Sequence, residues 1–246
     1  MIASADGRVG DRAGPRTSGA IVLAGGRSRR FGADKLAARL SDGRTILDHA
    51  LDAATDVATE IVLVLAPGAA PPEGLLAATR IVFDPEPFGG PLVGLLAGLE
   101  ASSAGIVLVL GGDMPAVEPA VLRLLAAALD HDDRADAAAL EAGARAGRDT
   151  DVPDGQTHVA PLPCALRRVP AIGATRAALA AGDRRLRACL ERLASTTVAA
   201  VDWRRLDPDG RTLFDVDDPS DLERLLASGR RRRGSRGDQR YGDAIG

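Results

Sequence analysis

The chain has very few aromatic side chains: Phe, Trp and Tyr make up 2% of its 246 residues, with one Trp and one Tyr. A surface that stacks successive unpaired bases on aromatic platforms is therefore not expected, and nucleic acid is not an expected partner. Cysteine is scarce as well. Cys164 and Cys189 are the only two, and they form no CxxC spacing. They do not suggest a disulfide framework or a zinc site, and a reducing cytoplasm is the expected setting. No apolar run reaches the roughly 18 residues that a membrane-crossing helix needs. Residues 1–18 also lack the apolar stretch of a secretory leader. Neither sign of charge dominates: 31 basic residues face 34 acidic ones, for a net charge of −3. The molecule as a whole does not seek polyanions, so any attraction for phosphate must be local.

Aliphatic residues are abundant. Apolar residues amount to 46% of the chain, mostly Ala, Leu and Val, enough to bury one sizeable aliphatic core. The length suits one large α/β domain. Both ends are too polar to order themselves. Residues 1–18 read as a disordered leader, and residues 229–246 read as a disordered tail carrying Arg230, Arg231, Arg232, Arg233, Arg236 and Arg240. The domain is then expected over residues 19–228.

Within that body, short apolar runs alternate with helical patterns. Residues 20–24, 61–65, 80–83 and 106–110 are β-branched and apolar on both faces, as strands of a parallel sheet covered on both sides read. Between and after them lie helix candidates at 45–57, 91–102 and 118–129, the second opening on Pro91, which suits a first helical position. The alternation predicts an α/β fold: a three-layer, doubly wound, mostly parallel sheet. The second half is less regular. Strands are expected at 135–140, at 159–166 (broken by Pro161 and Pro163) and at 196–201. Helices are expected at 171–181, 184–193 and 219–227, with a flexible loop over 142–157.

The first strand ends in an unusual loop, Leu23-Ala-Gly-Gly-Arg-Ser-Arg-Arg-Phe-Gly-Ala-Asp-Lys35. Gly25 and Gly26 would let backbone approach a bulky ligand, with N–H groups forming a concave anion nest. Arg27, Arg29, Arg30 and Lys35 add the positive charge a triphosphate requires. A plain glycine turn followed by a solvated basic loop is the competing reading; two glycines directly after a buried strand weigh against it. There is no GxxxxGK[ST], and GxGxxG is absent from this turn, so neither a P-loop nor a dinucleotide fingerprint is supported.

This loop resembles the LAGGxSxRxGxDK pattern of the MobA-like nucleotidyltransferases, a family that includes the molybdenum cofactor guanylyltransferases. The resemblance implies a Rossmann-like nucleotidyltransferase fold, with Leu23, Ala24, Gly25 and Gly26 around the nucleotide. Arg30 would contact the phosphates, and Lys35 would stabilise charge at the reacting phosphorus. Arg27 and Arg29 fall on open positions of the pattern. Three further segments follow in family order. Asp84-Pro-Glu-Pro-Phe-Gly-Gly-Pro-Leu-Val-Gly94 resembles the D…GPLxG segment, which implies that Asp84 and Gly90 line the nucleotide pocket. Ile106-Val-Leu-Val-Leu-Gly-Gly-Asp-Met-Pro115 resembles the (C/G)DMP element, which implies that Asp113 holds Mg2+ against the α-phosphate. Magnesium usually takes one or two carboxylates together with phosphate oxygens, and an acid ending a buried strand suits it. Thr212-Leu-Phe-Asp-Val-Asp-Asp-Pro-Ser-Asp-Leu222 resembles the closing FxNxNTPxDL segment, but with Asp215 and Asp217 in place of both asparagines. Asp217 is the candidate second metal or phosphate contact. Weaker likeness at 161–168 and 182–187 makes Arg184, Arg185 and Arg187 candidates for an acceptor phosphate, or simply a basic face in water.

Taken together, the resemblance implies a Mg2+-dependent transfer of GMP from GTP to molybdopterin or the molybdenum cofactor, with Lys35, Arg30 and Asp113 as the catalytic set. Cofactor carriers or molybdoenzyme maturation proteins are further candidate partners; a membrane is not. Three alternatives stay open: a MobA-like cytidylyltransferase, since Ala66-Pro-Gly68 follows the second strand where guanine-specific members commonly carry Asn; another nucleotidyltransferase acting on a sugar phosphate; and a non-catalytic nucleotide- or cofactor-binding maturation protein. His49, His131 and His158 stand isolated, and the two thiols lack a neighbouring base, so buried inert cysteines are expected.

Overall fold

The computed structural model describes residues 19–25, 35–75, 79–86, 89–143, 157–218, 220–221 and 223–224. The first half runs β1 (Gly19–Ala24), α1 (Ile46–Thr55), β2 (Glu60–Leu65), β3 (Thr79–Phe83), α2 (Pro91–Ala101), β4 (Ile106–Gly111) and α3 (Pro119–His131). The second half adds β5 (Ala137–Gly143), β6 (Thr157–Arg167), α4 (Arg168–Ala180), α5 (Leu186–Leu190), β7 (Ser195–Val198) and α6 (Ala200–Trp203).

The strands form one sheet in the order β3-β2-β1-β4-β6-β5-β7. β1 pairs in parallel with both β2 and β4, while β6 runs antiparallel to both β4 and β5. The sheet is therefore mostly parallel. Its chain order reverses between β1 and β4, and in an open α/β sheet that reversal opens a crevice at the carboxyl ends of the strands.

Alternation along each strand splits the core in two. Ala20 and Val22 of β1 and Leu108 and Leu110 of β4 face α1, α3 and the one tryptophan, Trp203. Ile21, Val62, Val107 and Val109 face the opposite way, against α2, α4 and α5. Two opposed apolar faces, each covered by helices, make the three layers that the apolar runs predict.

Local chemistry sets the helix starts. Thr45 caps α1: its Oγ1 accepts the Asp48 N–H at 3.1 Å and its own N–H donates to Asp48 Oδ2 at 2.8 Å, a reciprocal capping box. α2 begins on Pro91 after Gly90, whose φ of 87° lies where L side chains are strained. α2 also packs unusually close to the sheet, because a Cβ on Gly98 would stand 2.7 Å from Ile21 Cγ2.

Four expectations from the second half need correction. β6 runs unbroken from residue 157 to 167 despite Pro161 and Pro163. The two prolines fall where the β5–β6 register shifts, between Ala139↔Cys164 and Glu141↔Val159, so no ladder N–H is required of them. The helix expected over 184–193 is confined to Leu186–Leu190: Asp183 Oδ1 accepts the Arg185 N–H, and the Arg184 carbonyl is taken by the Leu92 N–H. The strand expected over 196–201 ends at Val198. Glu141 Oε2 then accepts the Ala200 N–H at 2.8 Å and starts α6. α4 begins at Arg168, earlier than expected, with Pro170 in its first turn.

Candidate active site

The crevice at the β1/β4 reversal holds a cavity of about 200 Å3. Its floor is the carboxyl end of β1, at Leu23, Ala24 and Gly25. The Leu23 carbonyl accepts the Gly112 N–H at 2.9 Å, which fastens the end of β1 to the turn after β4. Lys35 enters from the far end of the loop, in a short 3-10 turn over Lys35–Ala37. Gly26, Arg27, Arg29 and Arg30 lie outside the described residues, as do the leader 1–18 and the tail 229–246.

Asp113 follows Gly111 and Gly112 at the end of β4 and meets Lys35 across the crevice. Lys35 Nζ stands 2.8 Å from Asp113 Oδ2 and donates to the Val216 carbonyl at 2.8 Å. Asp217 Oδ1 stands 3.8 Å from the same nitrogen. The Lys35 side chain is largely enclosed, 14% exposed, against 30% and 44% for the Asp113 and Asp217 side chains. Three residues singled out in the sequence, separated by up to 182 positions (217 − 35), thus converge on one point.

A C-terminal strap makes this convergence possible. The Val216 N–H donates to the Asp113 carbonyl at 2.9 Å, and Val216 itself is fully buried. Asp221, also fully buried, accepts the N–H groups of Asp217 and Asp218 through Oδ2, at 3.0 and 3.2 Å. Asp218 Oδ1 accepts the Asp221 N–H in return, a second capping box that fixes the backbone under Asp217. Asp215 lies on the same strap, just before Val216.

The opposite wall comes from β3 and α2. Asp84, 8% exposed, lines the cavity just past β3. Its N–H donates to the Leu65 carbonyl at 2.8 Å, and its Oδ1 accepts the Glu86 N–H at 3.0 Å. Its Oδ2 takes no hydrogen bond among the described residues. That oxygen looks across at Gly94, where a Cβ would stand 3.6 Å away. Gly94 lines the cavity with Pro91 of the same helix, whereas Gly90 does not line it. Gly90 instead supplies the backbone turn that starts α2, and a Cβ there would press on Arg184 Cβ at 2.9 Å. Gly94 stands in the same GPLVG run and is the residue the sequence reading passed over. Leu162 of β6 and Leu186 of α5 add apolar contact and were not foreseen either.

The three candidate acceptor-side arginines are all engaged. Arg184 Nη1 donates to Glu86 Oε2 and to the Gly89 carbonyl, each at 2.7 Å, pinning the loop before α2. Arg185 pairs with Asp183, and the paired guanidinium holds that carboxyl down at about 2. Arg187 Nη2 donates to the Val159 carbonyl at 3.4 Å.

Cys164 and Cys189 are free and buried, and burial pushes both thiols up, away from the reactive thiolate form. His49 sits on α1 beside Asp42, at 3.1 Å. Among the described residues no trio of His, Cys, Asp or Glu could by itself enclose a metal ion. Asp113 and Asp217 do present two carboxylates at one point, the number magnesium uses when phosphate supplies the remaining oxygens. Among the described residues no helix is long and apolar enough to cross a membrane.

Residues 20–198 match the model of the MobA-like NTP transferase domain. A protein of Chloroflexus aggregans named "Probable molybdenum cofactor guanylyltransferase" is 32% identical over 211 residues, which span 84% of this chain and 92% of that protein. The molybdenum cofactor guanylyltransferase of Desulfosudis oleivorans is 27% identical over 209 residues, 85% of this chain and 94% of its own. Among solved structures, molybdopterin-guanine dinucleotide biosynthesis protein A of Archaeoglobus fulgidus superposes with a TM-score of 0.66 at 22% identity, covering 87% of this chain and 99% of that one. The 2-C-methyl-D-erythritol 4-phosphate cytidylyltransferase of Thermus thermophilus superposes with a TM-score of 0.61 at 23% identity, covering 85% and 98%. At these identities the two superpositions speak for the fold.

Proposed function

The chain belongs to the MobA-like NTP transferase family, and from that premise we propose that it transfers GMP from GTP to the phosphate of molybdopterin or its molybdenum-bearing form. The observation that carries this reading is the convergence of Lys35, Asp113 and Asp84 on one crevice at the β1/β4 reversal. The names of the relatives that match most of its length agree with it.

In this reaction an oxygen of the acceptor phosphate attacks the α-phosphorus of the nucleotide. A new P–O bond forms, the bond from the α-phosphorus to the bridging oxygen breaks, and pyrophosphate leaves with that electron pair. Nucleotidyl transfer of this kind depends mainly on positioning and charge neutralisation. Ala24 and Gly25 offer bare backbone at the floor of the crevice, and Lys35 brings a cation to the phosphates. Arg30 is the further cation proposed from the loop. Asp84 presents Oδ2 to the base edge, where a carboxylate complements the two adjacent donors of guanine, N1–H and the 2-amino group. Gly94 leaves room for that approach.

Mg2+ fits the donor set: Asp113 would hold it, with Asp217 as second carboxylate. The bound ion would polarise the phosphate oxygens and offset charge on the departing pyrophosphate. Free buried thiols accord with work in a reducing cytoplasm.

The test is pyrophosphate release from each of the four NTPs, with and without molybdopterin. Release that requires GTP and molybdopterin together is expected. Release with CTP but not GTP assigns the chain to cytidylyl transfer, and nucleotide binding without turnover assigns it to a non-catalytic role.

A further inference from the structure

Lys35 is expected to serve the phosphates, yet among the described residues its ammonium meets Asp113, Val216 and Asp217, the side of the crevice proposed to hold the metal. Its ammonium touches the Asp113 carboxylate and the Val216 carbonyl at 2.8 Å each, with an Asp217 oxygen at 3.8 Å. These are three oxygen donors, two of them anionic, gathered around one positive point. Hard divalent cations prefer oxygen donors of this kind. The Lys35 side chain is also less exposed than either carboxylate beside it.

We infer that Lys35 is a resident counter-ion which occupies the divalent-cation position until a nucleotide draws it away, so that metal and nucleotide bind as coupled ligands. The inference rests on the reading of Asp113 as a metal ligand. An ammonium and a divalent cation repel each other and would compete for the same Asp113 oxygen, so a metal entering alone must displace Lys35 with no new partner for it. A triphosphate supplies that partner. Its oxygens accept the released ammonium while the metal takes over the carboxylates, and each ligand then raises the other's affinity by the same factor. The long flexible stem of lysine suits it to swing between two sets of acceptors, which a planar guanidinium held by a rigid fork would do less readily. The same exchange releases the Val216 carbonyl, so the C-terminal strap loses one of its ties when nucleotide binds.

The experiment is Mn2+ titration of the nucleotide-free protein, with free Mn2+ read from its electron paramagnetic resonance signal. Wild type, Lys35→Met, Lys35→Arg and the Lys35→Met/Asp113→Asn double variant are compared. Lys35→Met should bind Mn2+ at least about tenfold more tightly than wild type, within the usual range of coupling between sites. Lys35→Arg, which keeps the charge, should show no such gain, and the double variant should lose it. If Lys35→Met does not fold, Lys35→Gln removes the charge while retaining a donor for Val216, and the same gain is expected. Equal Mn2+ affinity in wild type and the folded charge-free variant would overturn the inference. A parallel titration of wild type and Asp113→Asn with a non-hydrolysable GTP analogue separates the two levels. Weakened Mn2+ binding in Asp113→Asn, alongside an unchanged Lys35→Met, removes only the counter-ion role. Unchanged binding in Asp113→Asn removes the metal assignment itself, and the inference with it.

Discussion

Replacing Asp84 by Asn is a nearly isosteric change that should spare the fold and destroy base recognition. The backbone of Asp84 is held independently of its side chain, through the N–H bond to the Leu65 carbonyl at 2.8 Å. The bond from the Glu86 N–H to Oδ1 survives if the amide oxygen takes that place. The amide nitrogen then replaces Oδ2, the oxygen that looks into the cavity beside Gly94. In the proposed GTP complex a donor would then face the donor edge of guanine. Each hydrogen bond to a charged acceptor contributes about 1.5–3 kcal/mol, so losing one and opposing another costs about 3–5 kcal/mol, or roughly 10²- to 10⁴-fold in kcat/KM. The thermal midpoint should move little. Inosine triphosphate, which lacks the 2-amino group, sharpens the assay. Wild type should prefer GTP over ITP by about 10- to 100-fold, the value of one such bond. In Asp84→Asn that preference should shrink towards parity. If the variant folds normally and still binds GTP within a factor of about two of wild type by calorimetry, Asp84 does not read the base.

Two further outcomes are expected. Gly90→Ala places a side chain at φ 87° and ψ 163° and drives its Cβ to within 2.9 Å of Arg184 Cβ. The backbone strain alone should cost about 1–3 kcal/mol, read as a lower midpoint in chemical denaturation, and an unchanged midpoint would show that the start of α2 yields freely. Glu60 links β2 to the turn before β4. Its partial burial opposes ionisation, but hydrogen bonds from the Ser102 hydroxyl and from Ser103 and Ala104 outweigh that and hold its carboxyl below the usual glutamate range. A depressed folded value contributes stability above the unfolded pKa and loses it as pH falls through the folded one. Glu60→Gln should therefore cost about 1 kcal/mol near neutrality and flatten the acid limb of stability against pH. An acid limb that stays as steep as in wild type would refute the role given to Glu60.

The parallel half of the sheet could be read from the sequence because its evidence is local. Runs such as residues 61–65 are apolar on both faces, and Thr45 and Pro91 mark helix starts within a residue or two of where they fall. Lys35, Asp84 and Asp113 stand at strand ends or just beyond a glycine loop, which is where an open α/β sheet opens its crevice. The parts that were not legible depend on partners far along the chain. α6 starts where it does because Glu141, 59 residues earlier, accepts the Ala200 N–H. Pro161 and Pro163 seemed to break a strand until the irregular pairing of Ala139 and Glu141 gave them a place without ladder bonds. Val216 enters the site through its carbonyl, which no side-chain motif can announce. Gly94 was within a quoted motif but was passed over for Gly90, because only the packing of α2 shows which glycine faces the cavity.

The bond from Lys35 to Val216 joins residues 181 positions apart. A contact of that span meets its loop-closure cost only after the intervening sheet has formed, so it belongs to the late events of folding. During synthesis the chain emerges amino end first, and β7, the last strand among the described residues, ends at Val198, before the strap has been made. The sheet can therefore be assembled while Asp113 still lacks Val216 and Asp217 beside it. The meeting of Lys35, Val216 and Asp217 therefore waits on residues made after β7, and a nascent chain that ends at β7 would still lack that strap.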